Sequence, residues 1–258
     1  MSLKTFSQFY YGQNVDDLNY SLDFSEGGPI LEASIDLNDY TLSSLIEQVQ
    51  IALNSVGDNQ YVVSVNRDTR IVTISADANF DLLVFSGPRA GVSVFETLGF
   101  TGLDRVGASS YSGNLPCGKV YKPQFILQDY TPSKNNQGFI QPFVSISTSG
   151  EVEVVKFGSE KFMQCNIRFA TNEPHPKIGP IENNPTGEDD LREFMEYLIQ
   201  KNKVEFMEDR SNSNNFETLL LESSSESKDG TSFKLNELIS EGLAFHYETG
   251  ILKFRRVN

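Results

Sequence analysis

Two stretches of this chain space their apolar residues as a half-buried helix does, one in each half, and alternating, β-branched segments bracket both. In the first, Leu42, Leu45, Ile46, Val49, Ala52 and Leu53 fall on the i, i+3, i+4, i+7 stripe. Thr41 is placed to cap this helix, and Tyr40 and Leu45 have the spacing of a hydrophobic staple. Gly57 is placed to end the segment, so a helix is expected from Thr41 to about Asn54. In the second, expected over Glu188 to Asn202, the stripe is Leu191, Phe194, Met195, Leu198 and Ile199. Glu188, Asp189 and Asp190 sit at its positive end, and Lys201 and Lys203 at its negative end, both favourable for the macrodipole. The sequence thus predicts strands, one helix and more strands, twice over: an α+β fold that is mainly β. The halves show no alignable self-similarity, so the expectation is parallel architecture rather than a repeat.

Strands are expected at Leu18 to Phe24 and Ile30 to Leu37, turning at Gly27-Gly28-Pro29. Tyr61 to Asn66 and Arg70 to Ser75 should form a hairpin around Asp68. Phe80 to Phe85 reads as a separate buried strand, and Val92 to Leu98 as a short helix closed by Gly99. Gly107 to Gly118 is Gly/Ser-rich and irregular, Val120 to Leu127 a strand, and Thr131 to Gly138 a polar loop. Further strands are expected at Glu151 to Phe157 and over Lys161 to Ala170, where Met163, Cys165, Ile167 and Phe169 alternate with polar residues. Thr171 to Gly187 is a proline-stiffened loop, and Ser223 to Gly230 a solvated turn. The remaining strands are Val204 to Met207, Phe216 to Leu221, Phe233 to Leu238, Leu243 to Tyr247 and Ile251 to Val257, with Glu248-Thr249-Gly250 turning the last pair into a hairpin. Periodicity fades near residues 128–142. The expected organisation is therefore a module over 1–128, a linker over 129–141 and a module over 142–258.

Charge and cysteine content narrow the function classes. The 258 residues include 21 Lys+Arg and 35 Asp+Glu, a net charge of −14. That balance repels phosphate and disfavours a nucleic-acid grip. Cys117 and Cys165, 48 residues apart, fit neither a zinc spacing nor a disulfide framework, which points to a reducing cytoplasm. The opening MSLKTFSQFYYG lacks the regions of a signal peptide, and no apolar run approaches the roughly 20 residues that span a bilayer, so membrane insertion is not expected.

Candidate chemistry is sparse. His175 lies in the loop EPHP and His246 in the strand LAFHYE, with no i,i+2 or i,i+4 ligand pair to make a metal site. Cys165 reads as a small buried hydrophobe. Cys117 stands beside Lys119, which could lower its pKa, but no base accompanies it. Glu188 to Asp190 is explained by the helix start. Asn14-Val15-Asp16-Asp17 lacks the glycine and terminal glutamate of a calcium loop. GPRAG over Gly87 to Gly91 lacks the Lys-Ser/Thr pair of a phosphate loop. No catalytic, metal or cofactor site is expected. The positive feature is aromatic: Phe6, Phe9, Tyr10 and Tyr11 need burial, either on their own domain or on a neighbouring subunit, where aromatics are enriched.

At YTLSSLIEQVQIALN, YVVSVNRDTRIVTIS, FDLLVFSG and LGF the chain resembles a recurring module of tailed-bacteriophage virion proteins. VYKPQFILQDY, EVEVVKFGSEKFMQCNIRF and YETGILKFRRV resemble the continuation of the same structural proteins, so the resemblance covers most of the chain. It implies β-sandwich modules, each flanked by one amphipathic helix, like those of tail tube, distal tail and baseplate hub proteins. These assemble as rings around the DNA channel. The implied function is a ring-forming distal tail or tail-tip adaptor, assembled in the host cytoplasm, with other phage tail proteins as partners. The implied homo-oligomer is a trimer if two tube-like domains lie in tandem, or a hexamer if there is one. Phe6, Phe9, Tyr10 and Tyr11 are then expected at the subunit interface. Asp16, Asp17, Asp58, Asp68 and Glu248 are expected to line a bore through which DNA passes without specific binding. The alternatives are a head–tail connector, a fibre-attachment protein, a tail-associated glycan hydrolase or a carbohydrate-binding module. No functional residue of the family matches a numbered position here.

Overall fold

A computed structural model describes residues 7–123, 127–132, 137–139, 143–146, 152–155, 159–170, 188–208, 215–224, 234–243 and 246–257. In chain order the strands are β1 (Gln8–Tyr11), β2 (Gln13–Val15), β3 (Ser21–Ser25), β4 (Ile30–Ser34) and β5 (Asn38–Tyr40), followed by helix α1 (Leu42–Val56). Then come β6 (Tyr61–Val65), β7 (Val72–Leu82), β8 (Arg105–Ser112), β9 (Lys119–Tyr121), β10 (Gln128–Thr131), β11 (Gln137–Phe139), β12 (Phe143–Ile146), β13 (Val152–Val155) and β14 (Ser159–Asn166). After helix α2 (Glu188–Ile199) follow β15 (Val204–Met207), β16 (Phe216–Ser224), β17 (Asn236–Glu237), β18 (Tyr247–Glu248) and β19 (Ile251–Arg256). The described fold is mainly β, its strands paired in several antiparallel sheets.

The chain divides into two compact units. The N-terminal unit takes Gln8–Tyr121 and, from far along the chain, Lys203–Phe216; the C-terminal unit takes Lys122–Asn202 and Glu217–Asn258 with the first seven residues.

In the N-terminal unit, β4-β3-β7-β6 run antiparallel and β8 covers the other side of β7. Helix α1 lies against β4, β5 and β6. It buries Leu42, Leu45, Ile46, Val49, Ala52 and Leu53, the stripe its spacing predicts. Thr41 caps it through a reciprocal bond with Ser44. At its end the Gly57 N–H reaches the Leu53 carbonyl at 2.9 Å. A Cβ on Gly57 would meet a Glu26 carboxylate oxygen at 2.6 Å and the Tyr61 ring at 2.8 Å, so close approach demands glycine here. Across the sheet Phe24, Tyr61, Phe80 and Tyr111 form a run of edge-to-face rings with centroids 5.0–5.5 Å apart, the geometry ring quadrupoles favour. A second ladder, β15-β1-β9, completes the unit.

Several boundaries differ from expectation. Phe80 to Phe85 is not a separate strand: β7 runs on to Leu82 and pairs with β6 through its first half and with β3 at its end. The Gly/Ser-rich Gly107 to Gly118 contains most of β8. That strand has exposed residues on both faces, so no apolar alternation marks it. It is held by its ladder to β7, by Tyr111 against Phe80, and by hydroxyl pairs, Thr73 to Ser112 at 2.8 Å and Ser75 to Ser110 at 3.0 Å. Val92 to Leu98 makes one helical turn after a 3-10 turn at Ala90–Val92. Gly99, at φ +84°, closes it as a Schellman cap: the Phe100 N–H bonds the Phe95 carbonyl and the Gly99 N–H bonds the Glu96 carbonyl.

In the C-terminal unit the ladder β10-β14-β19-β16 carries β11 alongside β14, and β12-β13 and β17-β18 pair separately. Met163, Cys165 and Ile167 are buried as the alternation predicts, while Phe169 is half-buried at φ +62°. Helix α2 buries Leu191, Phe194, Met195 and Leu198. Glu248-Thr249-Gly250 does not form the expected hairpin. β18 pairs with β17, and β19 pairs with β14 and β16. The Thr249 N–H and hydroxyl oxygen bond the carbonyl and N–H of Ile167, so the chain continues along β14 instead of reversing. The loop over residues 171–187, residues 133–136 and residues 225–230 lie outside the described residues, while the ends of the expected polar loop over Thr131 to Gly138 belong to β10 and β11.

Candidate interaction surface

Phe9, Tyr10 and Tyr11 form the middle strand of β15-β1-β9 and are 0%, 1% and 4% exposed within the chain itself. Phe9 stacks near Phe206 with centroids 4.8 Å apart. These three side chains therefore bury themselves on their own unit and present almost no surface to a neighbour. Phe6 lies outside the described residues.

Beside this strand is an ionic cluster. Glu205, on β15 and fully buried, accepts from the Arg67 guanidinium at 2.6 Å and from the Ser43 N–H in the first turn of α1 at 2.6 Å. Arg67 also donates to the Ser43 hydroxyl and lies 3.7 Å over the Phe216 ring. The Tyr10 hydroxyl donates to the Arg67 carbonyl at 2.8 Å. Burial pushes the Tyr10 phenol up to about 12, against the opposing pull of Arg67. One helix-start N–H and a guanidinium together can hold a carboxylate out of water. The cluster also fastens β15 to the N-terminal unit, helped by the Lys203 N–H on Asp39 at 2.7 Å. Sequence reasoning passed over Glu205. The signal was there: one carboxylate inside the apolar strand VEFM, all four residues of which are buried.

The expected bore acids stand apart. Asp16, Asp17, Asp58 and Asp68 are exposed on three different turns. Asp16 is engaged in a local turn with Leu18 and Asn19. Glu248, in the C-terminal unit, is half-buried and ion-paired at 2.7 Å to Arg168, which it shares with Glu241.

The remaining candidates are structural. Burial pushes both thiols up to about 12; at Cys117 Arg70 opposes it without prevailing. Arg89 of GPRAG pairs with buried Asp23 at 2.9 Å. His246 is half-buried, and His175 lies outside the described residues. Among the described residues no group of three or more His, Cys, Asp or Glu could hold a metal, and no helix is long and apolar enough to cross a membrane.

A different face of the N-terminal unit is open. Phe85 and Leu103 are 74% and 77% exposed. Asp104 draws their two loops together, accepting the N–H groups of Phe85 at 2.7 Å and Ser86 at 3.1 Å. Burial raises the Asp104 pKa, but bonds from the Ser86 side chain and these N–H groups outweigh it and hold the carboxyl below its ordinary value. Between the loops lies a cleft of about 230 Å³ lined by Val84, Phe85, Phe95, Glu96, Phe100 and Gly102, among others. That is smaller than the roughly 300–1,000 Å³ of small-molecule sites.

In comparisons with known proteins, no family model matches this chain, and no curated protein matches it.

Proposed function

We propose that the chain is a structural protein of a tailed-bacteriophage virion, a ring-forming distal tail or tail-tip adaptor. The observation that supports it best is architectural: two antiparallel β units, each with one amphipathic helix, as in the building block of the tail proteins it resembles. In this reading the units are tube-like β-sandwich modules, the chain assembles in the host cytoplasm with other tail proteins, and the ring is a trimer or a hexamer. Exposed Asp16, Asp17, Asp58 and Asp68 turn toward the bore, where like charge keeps DNA from sticking. Native mass measurement tests the ring, and electron microscopy of particles labelled at the C-terminus tests its place. A monomer at micromolar concentration, with no label on the tail, overturns the reading.

A further inference from the structure

We propose that the face built from Phe85, Leu103 and the cleft between their loops docks a partner protein that presents an aliphatic or aromatic side chain next to a lysine or arginine. Single exposed apolar residues are ordinary, but two large ones brought together beside a cleft of mixed lining have the make-up of an interaction surface. Three features select the occupant. Phe95 and Phe100 line the cleft together with the polar Ser93, Thr101 and Glu96, and its size suits one large side chain that carries a polar group beside it. The exposed carboxylate lining it is Glu96, which forms no ion pair among the described residues. The nearby cation, Arg105, is turned back onto the chain, donating to the carbonyls of Leu103 at 2.9 Å and Thr101 at 3.4 Å and to Asn114 at 3.1 Å.

Charge also argues against a second copy. Over Gln8–Tyr121 and Lys203–Phe216 there are 7 basic and 17 acidic residues, a balance of −10. The unit's other described arginines are likewise folded inward: Arg67 on Glu205, Arg70 on the Gly118 carbonyl and Arg89 on Asp23. A like unit would bring the same excess of carboxylates to the face and few cations to meet them. A basic partner meets complementary potential, which sets approach rate and specificity. This goes beyond the ring reading, and native mass reads ring formation separately, so either can fail alone.

The test uses the full chain and two synthetic peptides, Lys-Arg-Phe-Lys-Arg and its charge-reversed counterpart Glu-Asp-Phe-Asp-Glu. The basic peptide is expected to shift the backbone amide signals of Phe85, Glu96 and Thr101 and the acidic one to leave them unmoved. Binding should weaken by about tenfold as salt rises from about 0.05 to 0.5 M. Phe85→Ala and Glu96→Gln, both at exposed positions, should each weaken it by about fivefold or more with an unchanged Tm. Equal binding of the two peptides, or none of the basic one, overturns the proposal. So does sedimentation showing a self-associated species that Phe85→Ala disperses, which would give the face to a second copy.

Discussion

Glu205 sets the strictest condition in the N-terminal unit, because a fully buried carboxylate is tolerable only while its donors stay in place. Arg67→Ala removes the guanidinium and leaves the charge stranded, which should cost about 3–5 kcal/mol in denaturant unfolding. Replacing both partners with apolar residues, Arg67→Met with Glu205→Leu, should cost much less, since no charge is then left in the interior. A double variant as unstable as the single one would show that Arg67 matters through its packing on Phe216. The thiols make a second residue-level prediction. Their pKa rises on folding from about 9 to about 12, so the neutral thiol is the folded form. That stabilisation is complete below about pH 9 and is lost as pH rises toward 12. Unfolding midpoints followed across that range should fall, and Cys165→Ala should flatten the slope. A slope that the substitution leaves unchanged would assign the loss to other groups, such as Tyr10.

At the scale of elements, helix α2 and strand β1 differ in how far their sequences disclose them. Phe194 is fully buried on the α2 stripe, and Phe194→Ala should cost about 3–5 kcal/mol; under about 1 kcal/mol would mean an exposed face. Both helices were legible because a 3.6-residue stripe over several turns has no competing explanation, and Thr41 and Gly57 mark the ends of α1. The aromatic cluster before the first expected strand was legible as a need for burial, but not as a strand. The partners of β1 are β15 and β9, some 200 and 110 residues away, and nothing in QFYY names them. Deleting residues 1–12 removes the middle of that ladder, so the variant should melt at a much lower temperature, as circular dichroism would show. A stably folded deletion variant would mean the ladder closes without β1. Strand β8 was missed because no apolar alternation marks it: beside Tyr111 on Phe80, its side chains meet β7 through exposed hydroxyl pairs. The expected hairpin at Glu248-Thr249-Gly250 failed because Thr249 bonds Ile167 instead of letting the chain turn. Of the interaction face, Phe85 was legible only as the end of an expected buried strand; it is exposed beside the cleft, where Asp104 ties together two loops that lie well apart in the sequence.

For the whole molecule, the net charge of −14 bears on passage of DNA in the ring reading. A ring with Asp16, Asp17, Asp58 and Asp68 toward the bore should retain no DNA at low salt, and lysine at those four positions should create retention that salt reverses. Tight, salt-sensitive DNA binding by the unaltered ring would contradict this arrangement. Glu248 is left out of that set because it is half-buried and held by Arg168, whereas the other four acids are exposed. The late return of Lys203–Phe216 to the N-terminal unit has a further consequence, for the chain during its synthesis. Roughly 80 residues separate Tyr121 from Lys203, and at about 5–20 residues per second a ribosome needs about 4–16 s to supply them. Throughout that interval β1 has an open edge on a nascent polypeptide, and Arg67 waits without its counter-ion. A fragment ending near residue 128 is frozen in that waiting state, while the full-length chain leaves it when Glu205 arrives: the first unit to be translated is among the last to be finished.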